Sequence, residues 1–345
     1  MRPLHILAII FVFQLGCVEI IEVDTSTEPN RIVLDGYITN ESKIHQVKIT
    51  ETIKFSNHLN RVVENAVVTI IGSNNETIPM VESSPGIYET SCCFAAVQGV
   101  FYKIRVIYNG KTIESYEQEL PERAAISNID IRPDIRKKFR ELDNQLFDEP
   151  GLWISTHIAE VEQETRNYLW QIVPVFIWDA TRARSEDVYR CYVRYETKFQ
   201  NIFVHSEKDG GYEKDLAWLP VSRRMGIRYS LEVNQFNIGV DSHNYWERIK
   251  KQKENVGSIF DSPPSSIAGN LYNVNNPKDI VLGLFGVYES SQQRIFFDLE
   301  DLPFNLNYSD DCAEIFRGQP IECFNCLLYT PGVSSNQKPE WWQDK

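Results

Sequence analysis

Short runs of alternating apolar and polar residues, rich in β-branched side chains, dominate the first third of this chain. Arg31 to Ile38 (RIVLDGYI), Gln46 to Thr52, Ala66 to Ile71, Ile87 to Thr90 and Phe101 to Tyr108 each carry the two-residue period of a half-buried strand. Gly72-Ser73-Asn74-Asn75 and Pro85-Gly86 separate some of them as turns. Asn109-Gly110 is a two-residue hairpin signal, and Lys111 to Glu119 reads as its return strand, ended by Pro121. Strands at this spacing within residues 28–122 predict an immunoglobulin-like or transthyretin-like β-sandwich.

Residues 123–150 are more polar and charged, and read as a connection with at most a helical turn. Strand patterns resume at Leu152 to Ile158, Tyr168 to Trp178, Val188 to Lys198, Ile202 to His205 and Arg228 to Val233. Tyr168 to Trp178 is apolar on both faces, as in a central strand, although Pro174 within it predicts a bulge or an edge segment. One helix is expected after an Asp241-Ser242 cap, with Tyr245, Trp246 and Ile249 as its apolar stripe and Asn255 and Gly257 at its end. Asp279 to Tyr288 and Gln293 to Asp298 are expected to form a last apolar hairpin. The predicted fold is therefore mainly β: the N-terminal sandwich, then a larger β-rich domain over 151–308 with one or two helices, and a cysteine-containing tail over 309–345.

The start of the chain is of a different kind. In residues 1–17 (MRPLHILAIIFVFQLGC), Arg2 precedes an apolar run from Leu4 to Phe13 broken only by His5. That run is about half the ~20 residues a membrane-crossing helix needs. A charged start, a short apolar stretch and small residues before a cut site describe a secretory signal over 1–16. Leu15-Gly16-Cys17 resembles a bacterial lipobox, with Gln14 where an aliphatic residue is usual. In that reading Cys17 carries the lipid and residues 17–27 link it to the sandwich. A plain signal peptide with an incidental cysteine is the alternative.

Export changes the reading of the cysteines. Six remain beyond Cys17, an even number that suits disulfides in an oxidising compartment. Cys312, Cys323 and Cys326 are expected to bond one another, with three ligands of a zinc site as the competing reading. Cys92 and Cys93, if on a strand, point to opposite faces and serve separate partners or none.

The formal charge of −13 argues against nucleic acid as a partner and against membrane binding through a basic patch, which leaves anchoring to the lipid. Lys250, Lys251 and Lys253 read as a solvated helix end rather than a phosphate site. No Gly-x-Ser-x-Gly and no His-Glu-x-x-His occurs, and the mature chain's histidines (His45, His58, His157, His205, His243) are not at metal spacing. Asp298, Glu300, Asp301, Asp310 and Asp311 lack the glycine-punctuated loop of a calcium site and read as an acidic surface. No cofactor is expected.

Several segments together carry a family resemblance: Cys17, RIVLDGYITN (31–40), RYSL (228–231), NYWERI (244–249), GSIFDSPPSSIAGNL (257–271), DIVLGLFGVY (279–288) and RIFF (294–297). With Cys323-Phe324-Asn325-Cys326 and KPEWW (338–342), they make the chain similar to the Bacteroidota lipoproteins catalogued as domain of unknown function 4249. The resemblance implies an outer-membrane lipoprotein, often encoded beside a TonB-dependent transporter, and brings no catalytic residues.

The function expected is thus a non-enzymatic outer-membrane lipoprotein, facing the periplasm or the cell surface, that assists or binds such a transporter. A membrane-anchored hydrolase acting on carbohydrate or peptide is the alternative, resting on the many carboxylates and aromatics alone. Function concentrates on loops held by a rigid scaffold. The binding surface is accordingly expected on the loop after the helix, from Phe260, Pro263, Pro264 and Asn270 with Tyr245 and Trp246.

Overall fold

The computed structural model describes residues 30–52, 61–123, 125–140, 144–158, 165–195, 202–208, 210–254, 267–302, 312 and 318–344. The chain is mainly β. Its first strands are β1 (Ile32–Thr39), β2 (Gln46–Glu51), β3 (Arg61–Val62), β4 (Val67–Gly72), β5 (Thr77–Ser84), β6 (Ile87–Thr90), β7 (Phe101–Tyr108), β8 (Lys111–Ser115) and β9 (Gln118–Glu119). Then follow β10 (Ile129–Arg140), β11 (Gln145–Ile158), β12 (Arg166–Asp179), β13 (Arg190–Arg194), β14 (Phe203–Glu207), β15 (Tyr212–Pro220) and β16 (Tyr229–Asn237). Helix α1 (Val240–Glu254), β17 (Leu271–Asn273), β18 (Leu282–Phe297) and β19 (Val333–Ser335) complete the order.

The alternation read from the sequence packs the first body. Leu34, Ile38, Val47, Ile49, Val68, Ile70, Ile104 and Val106 point inward and form one buried cluster. Asn109 and Gly110 both have positive φ (48° and 74°), the geometry of the tight hairpin turn between β7 and β8. Strand β5 was not expected, because Pro79 interrupts its short alternation; Ile78 and Met80 nevertheless reach the core.

This body is not made from residues 28–122 alone. Strand β17 pairs with β8, Ala268 bridges Gly283, and the first half of β18 lies parallel to β1. The segment 268–288 thus joins the two ends of the sheet, and Leu271, Val281, Phe285 and Val287 enter the same core.

The expected hairpin over 279–298 is instead one sixteen-residue strand. Glu289-Ser290-Ser291-Gln292 contains no glycine, asparagine or proline to turn the chain. Asn40, at the end of β1, also holds Ser290 in line: the Ser290 N–H donates to Asn40 Oδ1 at 2.7 Å, and Asn40 Nδ2 donates to Ser290 O at 3.4 Å. Beyond that point β18 pairs antiparallel with β16. One strand therefore belongs to both bodies.

The stretch expected as a connection contains a long hairpin, β10 with β11, turning near Asn144 at φ 53°. Its period of two is real, with Ile129 and Ile131 on one face of β10 and Arg132, Asp134, Arg136 and Lys138 on the other. Clustered charge hid it. Glu149 on β11 answers that charge, accepting from Arg136 Nε and Lys138 Nζ at 2.7 Å each. Strand β15 extends this hairpin into a three-stranded sheet. Leu152, Ile154, Leu216 and Ala217 of that sheet pack with Trp170, Ile172, Phe176, Leu231 and Val233 of β12 and β16 in a second core.

Pro174 lies within central β12, opposite Leu231 of β16. Its carbonyl accepts from Tyr195 N at 3.0 Å, so its missing N–H faces away from β16, where β14 has ended and β13 begins. The proline sits at a local edge inside the sheet. Helix α1 starts at Val240, ahead of the expected cap, with the His243 N–H bonded to Gly239 O at 3.0 Å. Among the described residues no helix is long and apolar enough to cross a membrane.

Candidate functional site

The cysteines pair as Cys312–Cys323, Cys191–Cys326 and Cys92–Cys93. The first was among the expected combinations. The second corrects the expectation for Cys326, whose partner lies on β13, where β19 brings the tail alongside. The third corrects the reading of separate partners: β6 ends at Thr90, so the two-face argument for a strand does not reach Cys92 and Cys93. Cys191, Cys312, Cys323 and Cys326 are fully buried in the second core. Among the described residues no group of three or more His, Cys, Asp or Glu side chains is arranged to hold a metal.

Of the expected surface, Phe260, Pro263 and Pro264 lie outside the described residues, as does Cys17. Tyr245 and Trp246 meet edge to face at 5.7 Å on α1. Trp246 is turned toward the sheet, donating Nε1 to the Tyr288 hydroxyl at 3.3 Å beside Tyr37, Leu169 and Phe236. Burial, with the Asp35 charge added, pushes the Tyr245 hydroxyl up to about 12. Asn270 is no surface residue. It is 3 % exposed, its Nδ2 donates to Phe285 O at 2.8 Å, and its Oδ1 accepts from Phe285 N at 3.0 Å. Its carbonyl also accepts from Tyr116 N at 2.9 Å, so Asn270 clamps the corner where 268–273 crosses from β18 to β8.

The open, chemically furnished face follows from register. Residues opposite one another in a ladder share a face. On the face away from the second core, β12, β16 and β18 set Gln171, Asn234 and Gln292 in one row, and Val173, Glu232 and Arg294 in the next. On one side of these rows, Leu169, Phe236 and Tyr288 lie under α1. On the other, Val175, Ile177, Phe296 and Tyr192 lie under Trp342. Between the two covers runs a polar strip, with Gln171 and Gln292 exposed.

Asn234, Glu232 and Arg294 are held in place. Asn234 Nδ2 donates to Glu232 Oε1 at 3.2 Å, and Arg294 Nη1 donates to Ser230 Oγ at 3.1 Å. Arg294 pairs with Glu232, and its guanidinium carbon lies 3.5 Å from the centroid of Trp341. Partial burial lowers the pKa of Arg294, and Glu232 works against that shift. Trp341 remains 41 % exposed at the end of the strip, whereas Trp342 beside it is 5 % exposed. One held amide, two exposed ones, an ion pair and an aromatic ring suit hydroxyl-rich or extended polar ligands. A partial signal for this site exists in the sequence: Glu232 and Asn234 alternate with Leu231 and Val233 in one strand, whereas Gln292 and Arg294 lie in a run that is polar in both phases.

A second feature is a cleft of about 380 Å³ beside the end of α1. Trp170, Ile202, Val204 and Leu216 line its depth, and Lys214, Lys250 and Lys253 with Asp215 and Glu254 line its mouth. Two of the lysines read as a solvated helix end therefore border a cavity. Asp298, Glu300 and Asp301 form a self-bonded turn, in which Asp298 Oδ1 accepts from Glu300 N and Asp301 Oδ2 from Asp298 N, each at 3.0 Å.

No curated protein and no solved structure matches the chain. A family profile matches residues 18–294, well over half its length, and the chain accordingly belongs to the family described as Domain of unknown function (DUF4249).

Proposed function

We propose that this chain is a non-enzymatic outer-membrane lipoprotein, lipidated at Cys17, that serves as an accessory or binding partner of a TonB-dependent transporter. The observation that carries the binding role is the polar strip between α1 and Trp341: Gln171, Asn234, Glu232, Gln292 and Arg294 on a rigid sheet, open to solvent. Its groups are suited to recognition, since each donates or accepts hydrogen bonds and the arginine–glutamate pair holds the indole. Export is supported by the buried Cys191–Cys326 and Cys312–Cys323 bonds, which belong to an oxidising compartment. Lipid anchoring is supported by Leu15-Gly16-Cys17.

The test uses tagged full-length protein in its own outer membrane, with Q171A/N234A/Q292A and W341A as variants and co-purified partners identified by mass spectrometry. Loss of a transporter or a bound glycan or peptide, at an unchanged melting temperature, is the expected result. Full retention in both variants would overturn the role of the strip. Labelling with an alkynyl fatty acid that marks wild type and C17A equally would overturn the anchor.

A further inference from the structure

Between the segment that leads from the first body into β10 and the second body, residues from four segments enclose a small pocket of about 70 Å³: Arg123 and Ala125 before β10, His157 and Ile158 on β11, Arg166 and Tyr168 on β12, and Gln235 on β16. Its volume is several times the roughly 10–15 Å³ that seats one water. It has room for a planar or tetrahedral oxyanion.

The lining is unusual for a chain with a formal charge of −13. It contains two arginines and a histidine and, among the described residues, no carboxylate. His157 Nδ1 lies 3.4 Å from Glu213 Oε1, outside the lining. Arg166 Nε is buried and has no hydrogen-bond partner among the described residues. A buried donor without a partner costs about 1–3 kcal/mol, more when charged, unless something bound supplies the acceptor. Guanidinium groups match carboxylate and phosphate in a planar fork. The neighbours hold the pocket's shape. Asn237 Nδ2 donates to Glu122 O at 2.8 Å, Ser127 Oγ to His157 O at 3.1 Å, and Trp170 Nε1 to Gln235 Oε1 at 2.9 Å.

We infer that this junction pocket binds one small oxyanionic group, a phosphate or a carboxylate, through Arg166 and Arg123. The bound group ties the segment between the bodies to the second sheet. The site is separate from the polar strip and does not depend on the function proposed for it.

The purified protein is titrated with sodium phosphate, and separately with sodium acetate, against sodium chloride at matched ionic strength. Melting temperature and calorimetric heat are both followed. The expected result is a saturable heat and a rise of about 2–4 °C beyond the chloride control, with the stronger of the two anions naming the class. R123Q replaces an exposed residue and keeps the fold; it weakens the response, and R166Q abolishes it. A wild-type response equal to that in chloride would overturn the inference. So would an unchanged response in both variants.

Discussion

Asn270 commits both side-chain groups and its carbonyl to backbone partners at one corner, and nothing is left over for a ligand. Replacing it by alanine leaves the Phe285 N–H and C=O buried without those partners. N270A is therefore expected to lose about 2–4 kcal/mol in chemical denaturation, while W341A changes stability little. An equal, small effect of both would contradict the clamp. Glu149 makes a pH-dependent contribution. Burial alone would raise its pKa, but hydrogen bonds from Lys138, Arg136 and Trp218 outweigh it and hold the carboxyl below its ordinary value. A carboxyl depressed in the folded state stabilises above its unfolded pKa and ceases to do so as pH falls through the folded one. E149Q should thus be less stable than wild type by roughly 1–2 kcal/mol near neutrality. That gap should close under acid, below the ordinary carboxylate range. A gap independent of pH would remove the charge from the explanation. Gly151 acts by absence, because a Cβ there would meet the Trp218 ring at 2.2 Å and Leu219 O at 2.8 Å.

At the scale of elements, bonding in the tail is the sharpest expectation. Mass spectrometry of unreduced peptides should recover Cys191 with Cys326 and Cys312 with Cys323. The double variant C191S/C326S should lose about 2–4 kcal/mol. Recovery of Cys323 with Cys326 would refute this pairing. Much of the element structure was legible in the sequence, since β1, β2, β4, β6, β7 and β8 fall where alternation places them. What escaped did so for identifiable reasons. Strand β10 presents five cations over Arg132 to Arg140, a pattern that resembles a linker until Glu149, Asp148 and Asp215 are seen to answer four of them. Strand β18 changes neighbours midway, from buried Leu284 and Phe285 to polar Ser291 and Gln292, and that change in burial imitates a turn. The polar strip was missed because its residues lie on three separate strands and become one surface only through register.

At the scale of the molecule, β18 makes the two bodies one cooperative unit. Calorimetry should show a single unfolding transition in wild type. S290P removes the N–H that bonds Asn40 Oδ1 and should split the transition in two, one for each core. Two transitions in wild type would mean that the shared strand transmits nothing. The late arrival of 268–288 has a further consequence for biogenesis. A chain is synthesised from its N-terminus, so β1 to β8 emerge long before the strand that closes their sheet. Until residue 288 is through, β1 and β8 each lack a neighbour, and an open edge is a template for wrong pairing. Maturation of the first body therefore waits on nearly the whole chain, and premature termination before β18 yields a product prone to aggregate rather than a smaller working domain.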